Sequence, residues 1–267
     1  MELVYHLAAR KATTATHDRV VPGSLMAMNF DTDIEVFAAC ECVAEHRKIK
    51  LVFLSSGEVY GDSFLDQSKP CSELTPSIIK PWDRSYLYLA SKISGEMMLK
   101  HGAWHFNWSI VRLQNPYGPM MGDETLIAKI CILAAQASMN NREGSFELGA
   151  AFDTRPFIFA PDAAEILEAI GKRSTHMHLF NVAGFHDHGI MDVARTIATF
   201  AEPGNLAVTM SPHASMQTGT HRRLDCGNVM REFQWKPRTS IEDGLRDTFR
   251  FYAMKESLKR SLGNIGV

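Results

Sequence analysis

The chain has 267 residues, 45% of them hydrophobic and 22% charged, with a formal charge of -2 at pH 7. That balance suits a globular protein with one large domain, or a domain and a smaller lobe, and it argues against a nucleic-acid-binding surface as the main function. No apolar run is long enough to span a bilayer, and Met1-Glu2-Leu3-Val4-Tyr5 lacks the basic then apolar layout of a signal peptide. The expected address is therefore the cytoplasm, with no membrane partner. Cys40, Cys42, Cys71, Cys131 and Cys226 are odd in number and scattered, which reads as reduced thiols and not as a disulfide frame or a zinc knuckle.

In chain order, residues 2–9 are a short apolar run with the pattern of a buried strand, followed by a polar stretch to the Pro22-Gly23 break. Over 24–46 apolar residues recur at helical spacing, Leu25, Met28, Ile34, Phe37, Ala38 and Val43 among them. Residues 48–56 form a continuous apolar strand that ends in Ser55-Ser56. Strand, helix, strand with buried apolar strands predicts a parallel sheet covered by helices. Residues 61–84 contain Pro70, Pro76 and Pro81 and are expected as a loop at the carboxyl ends of the strands, where ligands of such sheets bind.

A helix is predicted from Arg84-Ser85-Tyr86-Leu87-Tyr88 onward, with the apolar stripe Leu89, Ile93 and Met97, and then a strand over 106–113. A helix over 123–139, a short strand over 145–148, the run Arg155-Pro156-Phe157-Ile158-Phe159 and a helix near Pro161 read as a smaller lobe. Strand pattern returns over 176–183 and helix pattern over 190–200. The tail has a basic segment at His221-Arg222-Arg223, a helix near 227–233, a stop at Trp235-Lys236-Pro237 and a last helix over about 240–258.

Chemistry concentrates on the Tyr88 helix. Tyr88 and Lys92 are four positions apart, so a phenol and an ammonium share one face, and a fixed positive charge nearby favours a phenolate. Alone, Tyr-x-x-x-Lys is a weak pattern, equally at home on an ordinary amphipathic helix. It gains weight from Ser55-Ser56-Gly57-Glu58-Val59-Tyr60-Gly61 at the preceding strand end and from Arg112-Leu113-Gln114-Asn115-Pro116-Tyr117-Gly118-Pro119 after the following strand. With these motifs, and with His6-Leu7-Ala8-Ala9, Asn29, Arg155, Phe180-Asn181-Val182 and the basic tail, the chain resembles the extended short-chain dehydrogenase/reductases that act on nucleotide sugars as epimerases, dehydratases and decarboxylases.

The resemblance implies a Rossmann-like, doubly wound parallel sheet with a small C-terminal substrate-binding lobe. Residues 1–114 and 176–204 would form the dinucleotide-binding part, and 115–175 and 205–267 the lobe. It implies NAD as cofactor, bordered by Ala8 and Ala9, with Asn29 positioning the lysine. Tyr88 would take a proton from a sugar hydroxyl as hydride passes to NAD, Lys92 would lower the Tyr88 pKa and hold the nicotinamide ribose, and Ser56 would bond the reacting oxygen. Asn115, Arg155 and Arg222 match positions that grip the substrate.

Glu58 sharpens the reaction. Family dehydratases and UDP-glucuronate decarboxylases resemble this chain in carrying Glu two residues after the hydroxyl, where it can move a proton beside a transient 4-keto group. The dehydratase pattern has hydroxyl-Asp-Glu, and Gly57 stands here in place of the Asp, so a decarboxylase or uronate epimerase of a UDP-sugar is the leading expectation and a 4,6-dehydratase the alternative. His221-Arg222-Arg223 lies where the decarboxylases carry an arginine for the substrate carboxylate. His176, His178, His186 and His188 lack a completing cysteine cluster, so no metal is expected.

One departure stands out. No G-x-x-G-x-x-G or G-x-G-x-x-G follows a first strand, so the resemblance begins partway through the cofactor domain and the first βαβαβ half is expected to be lacking. Asp31 and Asp33 sit inside a predicted helix and cannot serve as the ribose-binding acid. A truncated, non-catalytic nucleotide-sugar-binding homologue is the reading of a different class. The family also implies a homodimer in which the helix over 24–46 and the Tyr88 helix pack against their copies as a four-helix bundle.

Overall fold

The computed structural model describes residues 1–11, 22–83, 86–149, 151–174, 178–211 and 220–263. Arg84, Ser85 and His176 of the expected elements lie outside them. In chain order the strands and helices are β1 (Glu2–His6), α1 (Pro22–Ala44), β2 (Ile49–Ser56), α2 (Leu87–His101), β3 (Asn107–Leu113), β4 (Pro116–Tyr117), α3 (Leu126–Asn140), β5 (Glu143–Leu148), β6 (Thr154–Arg155), β7 (Ile158–Phe159), α4 (Ala160–Arg173), β8 (His178–Val182), β9 (His188–Gly189), α5 (Ile190–Ala198), β10 (Asn205–Met210), α6 (Gly227–Phe233) and α7 (Ile241–Gly263). No described helix is long and apolar enough to cross a membrane.

The chain falls into two compact units: Met1–Gln114 with Ala163–Phe185 and Arg223–Lys236, and Asn115–Asp162 with His186–Arg222 and Pro237–Val267. The first unit is built on a parallel four-stranded sheet in the order β1-β2-β3-β8. Its central strands are apolar on both faces, as a parallel strand between helices must be: Leu51, Val52 and Phe53 of β2 and Val111 of β3 are fully buried. Register pairs Val4 with Leu51, Phe53 with Ile110 and Val111 with Phe180, so the carboxyl ends of β2 and β3 line up at Ser56 and Leu113. β1 is the edge strand of this sheet, and its central residues are only half-buried.

Helix α1 turns Leu25, Asn29, Asp33, Phe37 and Cys40 inward. Phe37 meets Phe53 edge-on at 5.6 Å and Trp104 at 5.9 Å, which ties α1 to the sheet and to the end of α2. Gly95 of α2 permits the close approach of α1: a methyl group there would stand 2.6 Å from Asp33 Oδ2 and 2.6 Å from Phe53 Cζ. All five cysteines are free.

The second unit has its own core. Ile127, Ile130, Cys131 and Ala134 of α3 pack with Ile190, Val193 and Ile197 of α5 and with Leu245 and Tyr252 of α7. The parallel pair β5 and β10 lies against them, with Leu206 of β10 buried.

The division of the chain differs from the expected one. Residues 163–175 and 223–236 were expected in the lobe, yet contacts join them to the sheet. Phe233 of α6 meets Phe180 of β8 edge-on at 5.5 Å, and the Asn181 amide donates to Cys71 O and Asp225 O. Residues 186–204, expected with the sheet, fall in the second unit because the apolar face of α5 belongs to the α3 core. β10 was not expected at all; of its six residues only Leu206 is buried, which leaves a weak apolar pattern.

At the opposite end of β2 from Ser56, Lys50 is fully buried, its ammonium donating to Ser174 O at 3.2 Å. Burial pulls its pKa down to about 8, against the opposing pull of Glu232. Below that value both the folded and the unfolded chain hold the proton and the burial penalty is complete. Between about 8 and the unfolded value near 10.4 the unfolded chain binds more protons, so stability rises with pH. The gain expected is up to about 3 kcal/mol, measurable by urea unfolding near neutrality and at alkaline pH. Lys50→Met should flatten that rise and stabilise the neutral protein.

Candidate active site

The candidate site is assembled where β2 and β3 end. β2 stops at Ser56 and the chain enters one turn of 3-10 helix, Gly57–Tyr60. Ser56 starts that turn: its hydroxyl accepts the Glu58 amide N–H at 3.2 Å. The same side chain acts on the Tyr88 phenol and favours its ionised form. Ser55, the neighbouring strand residue, donates instead to the Glu96 carboxylate. Tyr88, Lys92 and Glu96 follow one another at helical spacing on one face of α2, so these two serines and that face define the site.

The Glu96 carboxylate is clamped by Arg112 of β3. Arg112 Nε donates to Oε1 at 3.0 Å and Nη2 to Oε2 at 2.6 Å, a two-pronged pair in which each side chain is 10% exposed. The guanidinium also lies 4.8 Å from the Tyr60 ring centroid. Burial acts to lower the Arg112 pKa, but the bonds and charge of Glu96 more than reverse it, and the guanidinium is held charged. This pair fixes α2, and with it Tyr88, to the end of the sheet.

Lys92 is 1% exposed, with its ammonium 4.8 Å from the Phe53 ring centroid. Burial pulls its pKa down, and the Asp33 and Glu96 carboxylates pull it back up. Asp33 is the residue that sequence reasoning set aside. It is a helix residue, as expected, but it is buried, with Oδ1 2.7 Å from His6 Nε2 and Oδ2 without a hydrogen-bond partner among the described residues. Its signal was a carboxylate at the same helical spacing as Asn29 and Phe37, on the inward face of α1.

Asn29 braces the segment after β1. Its Oδ1 accepts the Arg10 amide N–H at 2.7 Å, and its Nδ2 donates to Arg10 O at 2.9 Å and to Ser91 Oγ at 3.0 Å. Ser91 in turn donates to Tyr88 O at 2.8 Å. Ala8 and Ala9 lie exposed in the same segment, and the Lys11 ammonium stands 5.2 Å from the Tyr88 ring centroid.

The expected lowering of the Tyr88 pKa by Lys92 is not what this arrangement produces. Burial pushes the phenol up, the Ser56 bond opposes it, and the Glu58 and Asp33 charges push it further up. Desolvation and two carboxylates outweigh one hydrogen bond, so Tyr88 rests as a neutral phenol. Glu58 is half-buried and accepts from Gln114 Nε2 at 3.3 Å. Gln114, at the end of β3, carried no weight in the sequence reading.

Three expected substrate residues belong to the second unit. Asn115 sits at φ 46°, in the left-handed region, with its side-chain Nδ2 buried and unpartnered among the described residues. Arg155 is ion-paired with Asp153 at 2.6 Å and donates to Thr154 O and to Thr220 O, so part of its guanidinium holds the unit's own loops. Arg222 is half-buried.

A parallel sheet whose strand ends carry Ser56, a tyrosine and lysine on the next helix, and an Arg-x-x-Asn segment after the following strand define an extended short-chain dehydrogenase/reductase. The family model described as GDP-mannose 4,6 dehydratase matches residues 1–248, and the chain belongs to that family. A trifunctional UDP-glucose 4,6-dehydratase/UDP-4-keto-6-deoxy-D-glucose 3,5-epimerase/UDP-4-keto-L-rhamnose-reductase of Arabidopsis thaliana is 25% identical over 225 residues, 80% of this chain and 31% of that one. The dTDP-D-glucose 4,6-dehydratase of Homo sapiens is 22% identical over 261 residues, 94% of this chain and 69% of that one. The chain thus spans less than a third of the Arabidopsis relative's length. The solved UDP-glucuronic acid 4-epimerase from Bacillus cereus, in complex with UDP-glucuronic acid and NAD, shares the fold with a TM-score of 0.72 at 20% identity, over 95% of this chain and 76% of that one.

Proposed function

We propose that this chain carries the proton-transfer end of an NAD-dependent nucleotide-sugar site that works through a transient 4-keto sugar, most specifically in the decarboxylation or epimerisation of a UDP-uronate. The carrying observation is the placement of Tyr88 and the buried Lys92 one turn apart on α2, with Ser56 and Glu58 close enough to act on the phenol. The donor set suits the nicotinamide riboside end of the cofactor: an ammonium and a phenol one helical turn apart can bond neighbouring ribose hydroxyls, and Ala8 and Ala9 keep the segment after β1 free of bulk. When bound there, held by Lys92 and Tyr88, NAD would supply reversible hydride transfer at C4 of the sugar.

Within this reading the chain's own groups have distinct tasks. Tyr88 Oη takes the proton of the C4 hydroxyl and returns it, and Ser56 Oγ holds the same oxygen. Because Tyr88 rests protonated, it acts as a base only in the fraction that has first released its proton to solvent, a fraction that a nearby ammonium such as Lys92 raises. Glu58 moves the proton at the carbon beside the ketone, where a β-keto acid loses carbon dioxide or a stereocentre inverts. On the resemblance, Asn115 and Arg222 are diphosphate or carboxylate contacts, with Arg155 holding its loop.

The second reading, a nucleotide-sugar 4,6-dehydratase, is favoured by the matched family model and by the activities named for the two relatives. Incubation with NAD and UDP-glucuronate, and in parallel with UDP-glucose, separates the readings: carbon dioxide with UDP-pentose or an epimer supports the first, and a product lighter by one water supports the second. No NAD binding at millimolar concentration contradicts both and leaves a nucleotide-sugar-binding homologue. Glu58→Gln should spare binding and slow product formation by roughly 10²–10⁴-fold; unchanged turnover rejects its role.

Met28, Phe30, Ile34 and Val43 of α1 and Met97 of α2 are exposed apolar residues, which supports a homodimer through a four-helix bundle of these helices.

A further inference from the structure

Gln114 stands beside Glu58, and the proposed reaction gives it no task. It is 1% exposed, at the end of β3, where its main-chain N–H donates to Val182 O at 2.9 Å and prolongs the pairing with β8. Its side chain does two things at once. Nε2 donates to Glu58 Oε1 at 3.3 Å, and Oε1 fills the space over Gly57. A methyl group on residue 57 would stand 2.3 Å from Gln114 Oε1, 3.0 Å from its Cδ and 3.0 Å from Leu224 Cδ1. The Gln114 amide in its present place and a side chain at position 57 therefore exclude one another, and any residue larger than glycine there must displace the amide.

We infer that Gln114, locked over Gly57, is the positioning residue for Glu58 and puts a carboxamide where a second proton carrier next to Glu58 would stand. The inference rests on the reading of Glu58 as a proton carrier. Expelling a hydroxyl from a 4-keto sugar calls for one group to remove the proton at the carbon beside the ketone and another to hand a proton to the departing oxygen. A carboxamide does neither at neutral pH, because it holds its protons and accepts none. With the amide in the second position, Glu58 works alone. One proton carrier suffices where a 4-keto uronate loses carbon dioxide: the bond from the carboxylate carbon to the ring carbon breaks, its electron pair forms the enolate, and one proton, taken up from solvent by Glu58 and handed to that carbon, completes the product. The favoured substrate class is therefore a uronate sugar, not a hexose with a hydroxyl to lose.

The test has two arms. In the first, thermal unfolding is followed for Gly57→Ala, Gln114→Ala and the double variant. Gly57→Ala should lower the midpoint by roughly 2–4 °C, and this loss should vanish when Gln114 is already alanine; additive shifts overturn the interlock. In the second, Gln114→Leu keeps the volume and removes the donor. With NAD and UDP-glucuronate, kcat should fall about tenfold while KM holds, the loss of one hydrogen bond to a charged group. Unchanged kcat overturns the positioning role. A wild-type chain that does not turn over sugar at all sinks the reading of Glu58, and the melting coupling then still decides whether Gln114 and Gly57 are interlocked.

Discussion

Tyr88→Phe should reduce turnover of the nucleotide sugar by roughly 10²–10⁴-fold, the usual contribution of a positioned acid/base, with nucleotide-sugar binding nearly intact. The change removes one oxygen from a half-buried ring and leaves α2 and its apolar stripe in place. What it deletes is the phenol on which Ser56 and Glu58 act, carried on the same helix as Lys92. Because burial and the carboxylates of Glu58 and Asp33 hold the Tyr88 pKa up, the phenolate is scarce at neutral pH. Turnover limited by Tyr88 as a base should therefore climb as pH rises above neutrality, and that limb should disappear in the phenylalanine variant. Steady-state kinetics across pH, with binding followed by calorimetry, checks both. Equal loss of binding and turnover would place Tyr88 in the substrate pocket and not at the proton transfer.

The second large effect is on stability. Glu96→Ala should cost about 3–5 kcal/mol of unfolding free energy in urea, because it strands a buried guanidinium. Arg112 is 8% exposed, its two strongest bonds go to Glu96, and Ser55 donates to the same carboxylate. Replacing both partners together, Glu96→Leu with Arg112→Leu, should recover most of that loss, since a buried ion pair is weak evidence of net stabilisation while half of one is strongly unfavourable. A double variant as unstable as the single one would show that the pair holds α2 by more than mutual charge compensation. In either case the placement of Tyr88 near Ser56, which depends on where α2 meets the end of β2, reports the damage as lost turnover.

Much of this was legible from residue order alone. Long buried strands and amphipathic helices announce themselves, which is why β2, β3, α1, α2 and α7 fall close to where periodicity puts them. The places of Ser56 at a strand end and of Tyr88 and Lys92 on one helix were legible because strand and helix patterns fix them. β10 escaped because an exposed strand with one buried residue has almost no apolar pattern to read. The division into units escaped because it depends on which distant segments touch: Asn181 reaches across to Cys71 and Asp225, and no local pattern encodes that.

The site shows the same limit. Asp33 looked like one more polar residue of a long helix until folding buried it against Gly95 and His6. Gln114 gave no signal because a glutamine after a strand is common, and its meaning lies in the empty Cβ position of Gly57 beside it. The direction of the Tyr88 shift was missed for a related reason: spacing puts Lys92 one turn away, but the phenol is pushed up by burial and by the Glu58 and Asp33 carboxylates, which no spacing announces.

The most direct measurement of the central claim is to titrate the chain with NAD and then add UDP-glucuronate while watching the NADH absorbance band. The account predicts NAD binding by wild type and by Tyr88→Phe, with the band rising on sugar addition in wild type alone. A wild-type chain that binds no NAD, or a band of equal size in the Tyr88→Phe variant, would contradict it.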